Sequence, residues 1–293
     1  MTTAWIALSV MISSEAAAIA RVEPFWSWNT PIVWTAFILF ADSVVFHARR
    51  SSWIRSNGRE FCALALVSIP LWLVFEAYNL VIRNWYYVGL PEHFVVRMVG
   101  YAWAFSTIWP AIFGSAELVG TWRGTTGLSP VPAPQPVSAT MRFSAWSIAA
   151  GALMLASPLI VPAGIAPFMA APVWLGFIFL LDPINRRLGG ESLFEDWETG
   201  RRDRLKNLFI GGLLCGLLWE LVNYWSRAKW HYSVPIMEDV KLFEMPLPGY
   251  LGFPAFAFEC FTMYVFVRLL FTRSIGPMLP AANWPQRSRP IAL

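Results

Sequence analysis

Charge is scarce in this chain of 293 residues: 14% is Asp, Glu, Lys or Arg, against 57% hydrophobic. Soluble domains average about 25% charged residues, so a water-soluble globule, a disordered chain and a secreted soluble domain are excluded. Cysteine is also sparse. Its three copies, Cys62, Cys215 and Cys260, fall inside apolar stretches with no metal-ligand spacing, which leaves them as packing residues and rules out a disulfide scaffold. The three histidines lie at span ends or in loops, so paired haem ligation inside a membrane is not expected. Neither a Walker-type phosphate loop nor an Asp-Asp-x-x-Asp cluster for magnesium diphosphate is present. No cofactor and no metal site is expected.

What is abundant is apolar and aromatic. Seventeen Trp, 22 Phe and 8 Tyr point to interfacial belts and to aromatic-lined interior surfaces. A bilayer core needs about 20 apolar residues per helix, and eight such runs appear, near 4–20, 31–47, 62–83, 97–120, 144–163, 168–182, 208–226 and 250–272. The first lacks a basic region before it, so it reads as a span and not as a cleaved signal peptide. With the N-terminus inside, only Arg21, Arg83, Arg97, Arg227, Lys229 and Lys241 of the 22 basic residues fall outside. The net charge of +4 therefore reports orientation and not nucleic-acid binding. Both termini are expected to be cytoplasmic, in a bacterial inner membrane. A seven-span arrangement lacking the first helix fits the same charges if the N-terminus lies outside.

The chain repeats itself at an offset of about 140 to 145. IVWTAFILFAD, ending at Asp42, matches PVWLGFIFLLD, ending at Asp182, and arginine pairs follow at Arg49-Arg50 and Arg186-Arg187. Glu76 with Asn79 matches Glu220 with Asn223; Trp85-Tyr86-Tyr87 matches Trp230-His231-Tyr232; Glu117 pairs with Glu259. The expected fold is an all-α integral membrane protein of about eight transmembrane helices, built as two parallel four-helix repeats over 1–125 and 141–275. A Pro-rich linker, 126–140, joins them, and 276–293 forms a cytoplasmic tail. Parallel repeats place a site between them.

Glu76, Glu220, Glu117 and Glu259 all lie at membrane depth, where an ionised side chain costs about 2.5–3.5 kcal/mol on insertion scales, so each should face a cavity or a partner. Desolvation there favours the neutral acid, able to protonate an apolar substrate. Asn79 and Asn223 follow their glutamates by three residues on the same helix face and are expected to hydrogen-bond them. Interhelical polar glue is the other reading of these pairs. Asp42 and Asp182 read as span-end anchors or ion-pair partners. The arginine pairs fit topology, a lipid headgroup or a diphosphate. Trp85, Tyr87, Trp230 and Tyr232 fit either an interfacial belt or the lining of a cavity that shelters positive charge on ring faces.

The Trp219-Glu220 pair, with Trp230-His231-Tyr232 ten residues on and then Gly249, Gly252, Pro254 and Glu259, resembles the membrane lycopene cyclase domain. Glu76, Trp85-Tyr86-Tyr87, Pro110 and Glu117 echo it in the first repeat. The resemblance extends to carotenoid hydratases and to small fungal membrane terpene cyclases, and covers about 50 residues per repeat. It implies a cofactor-independent isoprenoid or carotenoid cyclase or hydratase, with Glu76 and Glu220 as the acid-base pair and Glu117 and Glu259 as supporting carboxylates. Single glutamates stand where that family carries a Pro-x-Glu-Glu doublet. A proton-coupled transporter and a non-catalytic lipid- or pigment-binding subunit of a membrane complex use the same features. The partner is expected to be membrane lipid or an apolar isoprenoid.

Overall fold

The computed structural model describes residues 1–128 and 141–272. The expected linker is described only to Leu128, and the expected tail lies outside the described residues. The first half runs through α1 (Thr2–Ile19), α2 (Phe25–Arg49), a short α3 (Trp53–Ser56), α4 (Gly58–Ile82), strand β1 (Trp85–Val88), α5 (Phe94–Ser106) and α6 (Ile108–Trp122). The second half runs through α7 (Met141–Ile160), α8 (Ala170–Arg187), a short α9 (Leu193–Glu198), α10 (Asp203–Trp225), strand β2 (Lys229–Tyr232), a hairpin of β3 (Lys241–Leu242) and β4 (Met245–Pro246), and α11 (Gly252–Thr272).

Among the described residues, five helical segments are long and apolar enough to cross a membrane: α1, α2, α4, α10 and Leu247–Phe271. The fold is thus helical and suited to a bilayer. The expected run 97–120 is not one helix. It breaks at Thr107, because Pro110 has no N–H to donate to Ser106 and its ring crowds that carbonyl. Pro31 has the same effect on α2, whose backbone leaves helical geometry at Trp28 (φ −115°, ψ 15°). Pro254 likewise stands one turn after a 3-10 segment, Leu247–Leu251, that leads into α11. All three interruptions fall at one level of the bundle, where a cavity opens.

Helix α1 packs on α2 and α7 on α8, while α6 and α10 meet at the centre and α11 joins α8 and α10. Small residues set the closest approaches. A Cβ at Gly211 would stand 2.7 Å from the Ala116 backbone nitrogen of α6, and one at Gly151 would stand 2.7 Å from the Gly176 carbonyl of α8. Trp109 is fully buried between the halves and donates its indole N–H to the Cys260 carbonyl at 2.9 Å. Trp5, Trp146 and Ile160 stay more than 60% exposed, as lipid-facing side chains do.

One end of the bundle is polar. Asp42 accepts the Ile54 N–H at 2.8 Å, and Asp182 accepts those of Leu193 and Phe194 at 2.8 and 3.0 Å, so both aspartates anchor a short helix by its first turn. The arginine pairs are partly committed here: Arg49 pairs with Glu117, and Arg186 with Glu198 at 2.7 Å. Arg204 binds Glu191 and Asp196, both at 2.6 Å. The opposite end carries the strands.

Candidate functional site

Strands β1 and β2 form an antiparallel ribbon, an element the all-helical expectation lacked. Trp85 pairs with Tyr232, Tyr86 with His231 and Tyr87 with Trp230. Successive side chains of a strand point to opposite faces, so both Trp-x-Tyr elements present Trp and Tyr on one face and the middle residue on the other. That shared face lines a cavity of about 530 Å³, within the range of about 300–1,000 Å³ typical of small-molecule sites. Tyr86 and His231 stack on the far side, 5.7 Å between ring centroids.

Asn79 and Asn223 hold this ribbon in place. Asn79 Oδ1 accepts the N–H groups of Asn84 and Trp85 at 2.8 and 3.2 Å, and its amide donates to the Trp85 carbonyl at 2.8 Å. Asn223 accepts from the Trp230 N–H at 3.0 Å and donates to the Trp230 carbonyl at 2.9 Å. The expectation that these amides bind their neighbouring glutamates is therefore corrected: they clamp the start of each strand to the preceding helix. Asn223→Ala should leave the Trp230 backbone groups unpartnered at about 1–3 kcal/mol. Faster amide exchange across 229–232, with α10 unchanged, is the expected readout.

The glutamates are held by the aromatic residues instead. Glu76 Oε1 accepts from Trp72 Nε1 at 2.8 Å, Trp85 Nε1 at 3.2 Å and the Tyr87 hydroxyl at 2.5 Å. Glu220 Oε1 accepts from the Tyr232 hydroxyl at 2.9 Å, and the Tyr232 hydroxyl oxygen in turn accepts from Trp230 Nε1 at 2.9 Å. Glu220 Oε2 has no partner in hydrogen-bond geometry among the described residues, while the Trp230 indole and the Glu244 backbone also stand near the carboxyl. Burial, and then the facing carboxylate, holds both tyrosine hydroxyls well above the usual phenol range, so each keeps its proton. Neither glutamate lines the cavity; each stands behind a Trp and Tyr wall. This corrects the picture of two carboxyls opening directly on a shared space.

Glu117 and Glu259 do not join them. Glu117 lies toward the polar end, paired with Arg49 and accepting the Leu128 N–H at 2.9 Å, and it is structural. Glu259 is fully buried one turn beyond the cavity-lining Phe256, beside the Phe177 backbone, with neither oxygen in hydrogen-bond geometry to any described residue. Their equivalence also fails in register. Pro110 and Pro254 share the 144-residue offset of Glu76 and Glu220, which sets Glu259 against Ser115 and Glu117 against Phe261.

Seven tryptophans line the cavity: Trp28, Trp34, Trp72, Trp85, Trp174, Trp219 and Trp230. Two of the ring contacts that link the halves are related by the repeat. Trp34 meets Trp219 at 5.6 Å between centroids, and Phe75 stacks on Trp174 at 5.0 Å and 12°. Trp34 and Trp174 occupy the same position of the duplicated motif, a signal that was available in the sequence. Tyr101 and Phe105 of α5 complete one wall, and Ile236, Met245 and Leu251 of the long β2–α11 connection cover the ribbon end. That connection is tied down by Glu244, which meets Lys229 at 2.8 Å and His231 at 2.7 Å. Burial acts to raise the Glu244 carboxyl, but these hydrogen bonds outweigh it and leave it below the usual range.

Among the described residues, no group of three His, Cys, Asp or Glu is placed to hold a metal ion. Chemically, the site offers an aromatic hollow and two phenol–carboxyl couples of unequal surroundings. No protein-family model, no curated protein and no solved structure matches this chain.

Proposed function

We propose that this chain is a membrane-embedded isoprenoid or carotenoid cyclase or hydratase that works by proton transfer to an apolar polyene or epoxide, without a cofactor. The observation that carries the reading is the tryptophan-walled cavity with a Tyr–Glu couple at each strand of its ribbon. The couples differ. Three donors converge on Glu76 Oε1, whereas Glu220 Oε1 accepts the Tyr232 hydroxyl and its Oε2 has no partner in hydrogen-bond geometry among the described residues. With its carboxyl proton on Oε1, the oxygen that contacts Tyr232, Glu220 donates to the phenol oxygen as the Tyr232 hydroxyl hydrogen swings from Glu220 to the cavity and passes to a double bond or epoxide oxygen. Indole faces shelter the resulting cation. Tyr87 then takes a proton from the cation while giving its own to Glu76, closing the reaction as an alkene; in hydration, water adds first and loses that proton, and in either case Glu76 releases a proton to water and Glu220 takes one up before the next turnover.

The same proposal takes the chain as eight spans in two parallel repeats in a bacterial inner membrane, with both termini cytoplasmic. Three pairs of features support the repeat: the self-matched ribbon register, the Asp42–Ile54 and Asp182–Phe194 anchors, and the Trp34–Trp219 and Phe75–Trp174 contacts. The resemblance to membrane lycopene cyclases agrees with an aromatic, acid-bearing site but rests on about 50 residues per half.

One observation favours a second reading. Both glutamates stand behind the wall, as they would in a subunit that only binds a pigment or lipid. The deciding experiment extracts the purified protein with organic solvent, identifies any retained apolar compound, and incubates that compound with the protein in D₂O. Deuterium in the recovered product is expected. A retained compound that returns unlabelled assigns binding alone, and an empty extract removes the support for both.

A further inference from the structure

Arg97 and Lys229 line the cavity, and among the described residues no carboxylate does. Lys229 is neutralised by Glu244 at 2.8 Å. Arg97 has no carboxylate within ion-pair distance among the described residues, and its guanidinium lies over the Phe94 ring at 6.0 Å. On α5 it begins the stripe that continues through Gly100, Tyr101, Ala104 and Phe105, all facing the cavity at helical spacing. It sits in the first turn of that helix, a few residues after strand β1, and is half-buried. A half-buried guanidinium beside an apolar hollow is best satisfied by an anion that shares the hollow.

We infer that the apolar polyene held in the cavity is the chain of a single-chain amphiphile with an anionic head, a prenyl phosphate or a long-chain carboxylate. Its head pairs with Arg97 and its chain fills the aromatic part. This rests on the cavity being the ligand site proposed above, and it adds that the ligand is held by one charged end. The guanidinium fork matches two oxygens of a phosphate or carboxylate, a geometry that a lysine does not offer.

Farnesyl phosphate and farnesol, which share a chain and differ in the head, are the probes for isothermal titration against the full chain in a neutral detergent. Farnesyl phosphate should bind about 10- to 100-fold tighter, the range expected of a hydrogen bond to a charged group. Arg97→Gln should abolish that preference and leave farnesol affinity unchanged. Dioleoyl phosphatidic acid, with the same head class on two chains, should fail to displace farnesyl phosphate. Equal affinity for the two probes, a preference that survives Arg97→Gln, or displacement by the two-chain lipid overturns the inference while leaving the cavity as a ligand site. If neither probe binds, the cavity reading falls and takes this one with it.

Discussion

Glu220→Gln is expected to lower turnover on the cavity ligand by about 10²–10⁴-fold, the contribution typical of a general acid, with thermal stability and ligand affinity unchanged. The amide oxygen can still accept the Tyr232 hydroxyl that Glu220 Oε1 accepts at 2.9 Å, so shape and hydrogen bonding survive while the transferable proton is gone. Tyr232→Phe should give a loss of the same order, because the hydroxyl is the proposed link between Glu220 and the cavity ligand. Product formation in proteoliposomes and a melting curve in detergent separate the two readouts. Full activity in both variants would remove proton transfer through this couple and leave the binding-only reading.

The largest stability effect should come from the other end of the molecule. Arg49→Met is expected to cost about 3–5 kcal/mol, the range for stripping one partner from a buried ion pair. Arg49 and Glu117 expose 5% and 2% of their side chains, and Arg49 also binds the Glu117 and Thr125 carbonyls at 3.2 and 2.9 Å. The double variant Arg49→Met/Glu117→Leu should recover most of the loss, since no uncompensated charge remains. Unfolding midpoints in a denaturant series on both proteins check this. A single variant as stable as the parent would mean that water reaches the pair.

Most helices were legible in the sequence, because runs of apolar residues bounded by charge or proline have few other meanings in a chain this poor in charge. The cavity-facing strands were not. Four residues hold two alternations of period two, too few to tell a strand from an interfacial belt, and Trp85-Tyr86-Tyr87 fits both. The break at Thr107 was hidden for a different reason: hydropathy continues through it, and only Pro110 marks the lost hydrogen bond. Asn79 and Asn223 were placed correctly on their helices but given the wrong partner. Helical spacing shows that an amide can reach a carboxyl three residues away, yet not that a strand start competes for it with two backbone groups. Glu117 and Glu259 looked equivalent because an offset was allowed to drift by two residues, more than half a helical turn. Arg97 gave no signal until α5 turned it toward the tryptophans.

The two connections that leave the ribbon differ in length. Residues 89–93 lead from β1 to α5, whereas 233–251 lead from β2 to α11 and carry the β3–β4 hairpin. A ribbon whose register maps each Trp-x-Tyr element onto the other presents a nearly palindromic surface, on which an elongated guest and its end-for-end reverse would bind with equal energy. The one-sided hairpin removes that degeneracy. Reversed, the guest would exchange a wall of Ile236, Met245 and Leu251 for one of Arg97, Tyr101 and Phe105 on α5. A single threading direction brings the same terminus to Tyr232 in every encounter, and the product should therefore be one regioisomer and not a pair.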